Sequence, residues 1–240
     1  MVIIAKNAEE TIGKTLESLH AFGEVVLYLN DSSDNTEKIA GEYSNVKVVK
    51  GEFAGFGPTK NLAASYASND WILSLDSDEI LTGENIDEIS NLDLDNRDHL
   101  YRMYRDNYFL GHKTQSNDKI VRIYHKGFTR FNDNNVHEKV IIPKGAKLID
   151  LKSHFIHLNI TDINQTLTKI IHYTDLGSTG KKTCFFGTVL AKSLFAFFKT
   201  YILQGNIVRG WVGFALAINS ANKRYYKYLK QYINCQKEKI

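Results

Sequence analysis

The chain has 240 residues, 43% of them hydrophobic and 24% charged, and 30 Lys and Arg against 27 Asp and Glu leave a formal net charge of +3. That length suits one large domain, or a core domain with a helical appendage, and the composition excludes wholesale disorder. The near balance of charge gives no reason to invoke nucleic acid, while two cysteines without a Cys-x-x-Cys pair argue against structural zinc and exclude a disulfide framework.

Val2-Ile3-Ile4-Ala5 predicts a buried strand, and the opening residues are too few and too soon polar for a signal peptide. Asn7 followed by Glu10 has capping-box spacing, with Ile12, Leu16 and Leu19 on one helical face behind it. A second strand is expected over 24–29, ending in the polar turn Asn30-Asp31-Ser32-Ser33. Asp34 with Glu37 repeats the cap pattern and opens a helix through Tyr43, and 46–49 reads as a third strand. Residues 51–58, rich in Gly and closed by Pro58, read as a loop before a helix over about 59–67. Trp71-Ile72-Leu73-Ser74-Leu75 has the nearly all-apolar pattern of a strand covered on both faces.

After Leu81 the pattern changes. Residues 101–105 and 119–124 alternate as antiparallel or mixed strands do, and further strands are expected near 138–142 and 147–156. Helical periods take over from Thr161, at about 161–176, 185–203 and 208–234. The expected organisation is an α/β domain over 1–160 and a helical segment over 161–240.

Asp76-Ser77-Asp78-Glu79 is the feature that asks for chemistry. An isolated Asp-x-Asp is common in solvated turns. This one ends an apolar strand, at the sheet edge where open parallel sheets bind ligands. Asp76 and Asp78 offer oxygen ligands to a hard divalent cation, Mg²⁺ or Mn²⁺, and Ser77 is small enough to let a ligand approach the backbone.

In order along the chain, 2–10, Ser32-Ser33-Asp34-Asn35-Thr36, Lys60-Asn61 and 71–79 resemble the motifs of the family-two glycosyltransferases. Gly55-Phe56-Gly57, Val136-His137-Glu138 and Phe197-Phe198-Lys199-Thr200-Tyr201-Ile202-Leu203 are similar to a narrower branch, the glucosyltransferases of the lipopolysaccharide inner core. The resemblance implies an α/β GT-A (nucleotide-diphospho-sugar transferase) fold, a mixed central sheet flanked by helices, with a C-terminal helical segment. It also implies inverting, metal-dependent transfer of a hexose from a nucleotide-diphospho-sugar such as UDP-glucose. The acceptor would be a lipopolysaccharide-core or other glycan at the cytoplasmic membrane face.

On that resemblance, donor and substrate contacts fall to Asn7, Glu9, Asp31, Ser32, Asp34, Lys60, Asp76, Ser77, Arg122 and His137, and the metal to Asp78, Asp76 and His157. Glu138 is the expected base for the acceptor hydroxyl. Leu29 stands where the family usually has an Asp that contacts the nucleotide base; either Asp31 takes that role or base recognition differs. Lys60 suits either a diphosphate or a buried Asp. Arg122 suits a diphosphate, an acceptor or an edge-strand surface, and His157 either the diphosphate region or the end of a strand.

Other enzyme classes fit worse. No Gly-rich loop follows the first strand, as a nucleotidyltransferase requires, and no Gly-x-Gly-x-x-Gly follows any strand. An aspartyl phosphatase would carry its Asp-x-Asp near the N-terminus. A non-catalytic sugar-nucleotide fold serving as a membrane scaffold is the remaining alternative. The last third mixes aromatics with Lys and Arg, as interfacial helices do, although helices packed on a core look similar. Val189 to Leu203 is broken by Lys192 and Lys199 and falls short of a spanning helix. The expectation is a cytoplasmic protein, peripheral at the membrane and open to homo-oligomerisation, with no nucleic-acid module.

Overall fold

Alternating short apolar runs and polar turns build a sheet that is parallel in its first half and mixed in its second. The computed structural model describes residues 1–134 and 138–237, and no side chain of 115–117. Strands β1 (Val2–Ala5), β2 (Val25–Leu29), β3 (Val46–Lys50) and β4 (Trp71–Asp76) pair in parallel, in the order β3-β2-β1-β4. Beyond β4 the sheet continues through β7 (His112–His125), β6 (His99–Phe109), β8 (Lys147–Ile160) and the two-residue β5 (Glu79–Ile80). β7 runs antiparallel to β4, and β5 antiparallel to β8.

The all-apolar strand sequences are explained by cover on both faces. Ile3, Leu27 and Leu75 point into one buried layer with Ile12, Leu16 and Phe155. Val2, Val26 and Ile72 point into the other with Ala63, Ala64 and Tyr124. Each such Ile or Leu contributes about 1.5–3 kcal/mol of transfer free energy. The crossover helices are α1 (Ile12–Glu17), α2 (Thr36–Ala40) and α3 (Phe56–Ser65). The helix α4 (Gly83–Ser90), unforeseen in the sequence, follows β5 and is capped reciprocally by Thr82 and Asn85.

Three local expectations are corrected. Asn7 caps no helix: it takes a left-handed φ of 49°, and α1 starts five residues later behind Thr11. Asp34 accepts from the Thr36 N–H at 3.0 Å, but α2 ends at Ala40, and Glu37 pairs with Lys50 instead of completing a box. Around 138–142 the described residues form one isolated bridge, Phe131 to Val140, and no strand.

The chain divides into two units, 1–107 with 116–159, and 108–115 with 160–240. In the second, α5 (Ile163–Ser178), α6 (Phe186–Phe198) and α7 (Gly210–Lys237) follow the helical periods of the sequence closely. α6 runs antiparallel along α7, as Phe186 against Tyr232, Ser193 Oγ donating to the Ala221 carbonyl, and Phe197 against Phe214 demonstrate. Two expectations change here. Cys184 and Cys235 form a disulfide within this unit, tying the start of α6 to the end of α7, where isolated spacing had pointed to no bridge. A π-helical turn (Lys199–Leu203) also prolongs α6, so that 186–203 is long and apolar enough, by length and composition alone, to cross a membrane.

Candidate functional site

The acidic cluster lies where β4 ends, at the carboxyl edge of the parallel strands. Its first carboxylate is fully engaged. Asp76 Oδ1 accepts from Lys60 Nζ at 2.7 Å, and Oδ2 from Arg122 NH2 at 2.9 Å. Burial opposes its charge, but Lys60 and Arg122 outweigh burial and hold the carboxyl far below its ordinary range. Lys60 is 3% exposed and donates also to Glu138 Oε1 at 2.8 Å. Burial would lower its ammonium, yet Asp76 and Glu138 raise it above the ordinary value. Of the two partners open to Lys60 in the sequence, a diphosphate or an Asp, the Asp is the one it meets.

Arg122, 3% exposed, is held as a buried bridge between Asp76 and Glu79. Glu79 has no exposed side-chain surface, accepts the Asp76 backbone N–H at 3.0 Å, and lies 3.6 Å from Arg105 NH1. Burial pushes its carboxyl up, while the permanent charge of Arg122 keeps it an ion-pair partner. Asp76, Glu79 and Arg122 therefore serve each other before any ligand. Glu138 hangs from Lys60 by one oxygen and keeps 17% of its side chain open to solvent.

Asp78 is placed differently. Its carbonyl accepts from the Leu158 N–H, and the β5–β8 register sets Glu79 opposite His157. That pairing brings His157, 79 residues away in sequence, to Asp78: Nε2 stands 3.4 Å from Oδ2. On its other side His157 Nδ1 donates to Asn107 Oδ1 at 2.6 Å. Asn107 is itself oriented, because its Nδ2 donates to Asp118 Oδ2 at 3.1 Å, and Asp118 is paired with Arg105 at 2.7 Å. In the neutral imidazole this order of donors leaves the Nε2 lone pair facing the Asp78 carboxylate. Two acceptors opposed at that distance suit a shared hard cation.

The described residues contain no group of three or more His, Cys, Asp or Glu arranged to hold a metal. One carboxylate and one imidazole, with the remaining positions left to water and substrate phosphate, suit Mn²⁺ better than Mg²⁺, whose protein ligands are usually carboxylates. Asp76, a third expected ligand, has both oxygens committed to cations.

The other expected contacts lie at the ends of β1 and β2, and most hold two turns together. The Asn7 N–H donates to Ser32 Oγ at 3.1 Å, and Asn7 Oδ1 accepts from the Ser33 N–H at 2.8 Å. Glu9 N–H donates to Asp34 Oδ2 at 3.0 Å, and Glu9 Oε2 accepts twice from Asn35. Burial works against the Asp34 charge, but its bonds from Thr36 and Glu9 prevail and hold it below the ordinary carboxylate range. Asp31 is exposed at the tip of the same turn, in a left-handed conformation with φ 53°. Leu29 is 3% exposed and packs in the core, so it reads no ligand. The Ser77 carbonyl accepts from Thr15 Oγ1 at 3.0 Å. His154 stacks on Tyr104 and pairs with Asp106. His137 lies outside the described residues.

Three contributors had no legible signal as site residues. Asn107, Asp118 and Arg105 sit in alternating strands, where a polar residue ordinarily means a solvated face. Asn61, part of the Lys60-Asn61 motif, clamps Phe131 through both atoms of its amide, at 2.9 and 2.8 Å, and Phe131 in turn bridges to Val140. Gly57 belongs to the same clamp: a Cβ there would lie 1.8 Å from the Asn132 carbonyl oxygen.

Residues 1–152 match the model of glycosyl transferase family 2. An uncharacterized glycosyltransferase of Rickettsia felis is 28% identical, over 95% of this chain and 87% of its own length. The lipopolysaccharide core biosynthesis glycosyltransferase LpsC of Rhizobium meliloti is 23% identical over 91% of this chain and 86% of its own. The UDP-Glc:alpha-D-GlcNAc-diphosphoundecaprenol beta-1,3-glucosyltransferase WfgD of Escherichia coli is 32% identical over 43% of this chain and 44% of its own.

Proposed function

Because the chain belongs to glycosyl transferase family 2, and so is a glycosyltransferase of GT-A fold, we propose that it moves a hexose, with inversion, from a UDP-sugar to a lipid-linked or lipopolysaccharide-core glycan. The observation that carries the donor half is the Asp78–His157 pair, with Nε2 turned to the carboxylate by Asn107. The acceptor half rests on likeness to LpsC and WfgD, the second of which is named for UDP-glucose and a lipid-diphosphate acceptor. With such an acceptor, the proposal includes reaction at the cytoplasmic face of the membrane.

Asp78 and His157 are the residues that would hold a divalent cation, Mg²⁺ or Mn²⁺. Bound there, the cation supplies neutralisation of the charge that grows on the departing diphosphate. Asp31, at the exposed turn after β2, is the acceptor available to the nucleoside. Glu138 accepts the proton of the attacking hydroxyl. As the new carbon–oxygen bond forms on one face of the anomeric carbon, the bond to the diphosphate breaks on the other, and UDP leaves with the electron pair. Lys60 orients Glu138 by holding one of its oxygens and ties it to Asp76 at the end of β4.

Calorimetric titration of UDP with Mn²⁺, with Mg²⁺ and with a chelator tests the reading. Binding is expected only with metal, and Asp78→Ala should abolish it. Metal-dependent UDP binding that survives Asp78→Ala, in a variant that melts normally, overturns the assignment.

A further inference from the structure

The C-terminal unit carries charge that the whole chain conceals. Against a total of +3, residues 108–115 and 160–240 hold thirteen Lys and Arg but three acids, Asp162, Asp175 and Glu238. Asp175 is already paired with Lys230 at 2.6 Å. Basic residues also crowd one another: the Lys223 ammonium is held below its ordinary value by burial and by Arg224 and Lys227 beside it.

The same unit is apolar where it meets solvent. α6 turns Val189, Ser193, Ala196 and Phe197 toward α7 or into the interior. Its remaining arc, marked by Leu190, Leu194 and Phe198 at four-residue spacing with Phe195 beside them, is exposed, with Leu194 at 69%. Around the turn into α7, Val208 is 85% and Trp211 60% exposed. Lys192 and Lys199 flank the apolar arc rather than interrupt it, since helical spacing puts both beyond Phe195 at its edge. Contiguous apolar surface on this scale marks an interaction site.

We propose that the α6–α7 hairpin docks the protein in the plane of an anionic lipid bilayer, its apolar arc below the headgroups and its lysines among the phosphates. Charge decides between this occupant and a second copy of the chain. A second copy would bring the same excess of cations to the contact, whereas an anionic leaflet supplies their counter-charge. An in-plane position suits a helix that commits one side to α7 and carries Lys192 and Lys199 at the edge of its apolar arc. The inference does not rest on the transferase reading and is tested apart from it.

The test is sedimentation of the full chain with vesicles of phosphatidylcholine alone, and of phosphatidylcholine mixed with phosphatidylglycerol. Trp211 emission is followed in parallel in a Trp71→Phe background. Binding to the mixed vesicles is expected to be at least about tenfold tighter than to the neutral ones, to weaken as salt rises, and to shift Trp211 emission to the blue. Leu194→Ser with Phe198→Ser should cost about tenfold or more in vesicle affinity, with melting and metal-dependent UDP binding unchanged. Absence of vesicle binding overturns the proposal. So does binding unaffected by the two serines, or a dimer that these substitutions dissociate and that ignores vesicles.

Discussion

Lys60→Met removes the cation that Asp76 and Glu138 share, at nearly constant side-chain length. Deleting one partner of a buried ion pair costs about 3–5 kcal/mol, because the remaining charges lose their compensation. Here the orphaned carboxylates keep 33% and 17% exposure, and Asp76 retains Arg122, so water and the guanidinium absorb part of the loss. That screening puts the expected cost near the lower end, about 3 kcal/mol, or a fall in melting temperature of about 6–12 °C for a chain of this size. The sign of the pH dependence follows from Asp76. Its folded pKa is depressed below the ordinary 3.8, so its stabilisation is present above that value and is lost as pH falls below it. The deficit of Lys60→Met should therefore be full at neutral pH and narrow in acid. Urea midpoints of variant and wild type across that range are the assay, and adding Glu138→Gln should recover part of the loss. A melting change under about 2 °C, or a deficit that does not shrink as Asp76 protonates, refutes the shared-cation argument.

Asn107→Leu leaves His157 without its orienting acceptor and should weaken Mn²⁺ binding in the presence of UDP by about 10–100-fold, read by the free Mn²⁺ resonance; unchanged affinity would remove Asn107 from the site. Gly57→Ala forces a Cβ onto the Asn132 carbonyl at 1.8 Å, so the 131–134 segment must move. The expected result is a lower melting temperature with faster proteolysis near that segment, and a variant as stable as wild type would contradict the close approach. The Cys184–Cys235 bond closes a separation of 51 residues, for which the chain-entropy model gives up to about 4 kcal/mol. Melting with and without reductant should show that loss in the C-terminal unit, and coincident curves would show that the bond contributes nothing.

How much was legible differs from element to element, for physical reasons. Val2–Ala5, Val25–Leu29 and Trp71–Asp76 are strands because short apolar runs between polar turns have one economical solution, burial on both faces of a sheet. The three long helices of the tail follow from a periodicity that survives at every turn. The acidic run 76–79 at the end of an apolar strand was legible as the carboxyl edge of a parallel sheet. Cap patterns misled in part: Asn7 serves the 32–33 turn rather than a helix end, and Asp34 divides its carboxylate between Thr36 at the start of α2 and Glu9, 25 residues away.

What the sequence by itself determined is thus the succession of elements and the acidic cluster at the end of β4, both set by local composition and spacing. Tertiary structure alone decided that the two aspartates of the cluster differ in their partners. Lys60 and Arg122, 16 and 46 residues from Asp76, consume it, while strand register carries His157 to Asp78 and Asn107 to His157. Register is chosen by the packing of whole strands against a common core, and a one-residue slip would turn His157 to the opposite face. Local pattern contains no record of that choice.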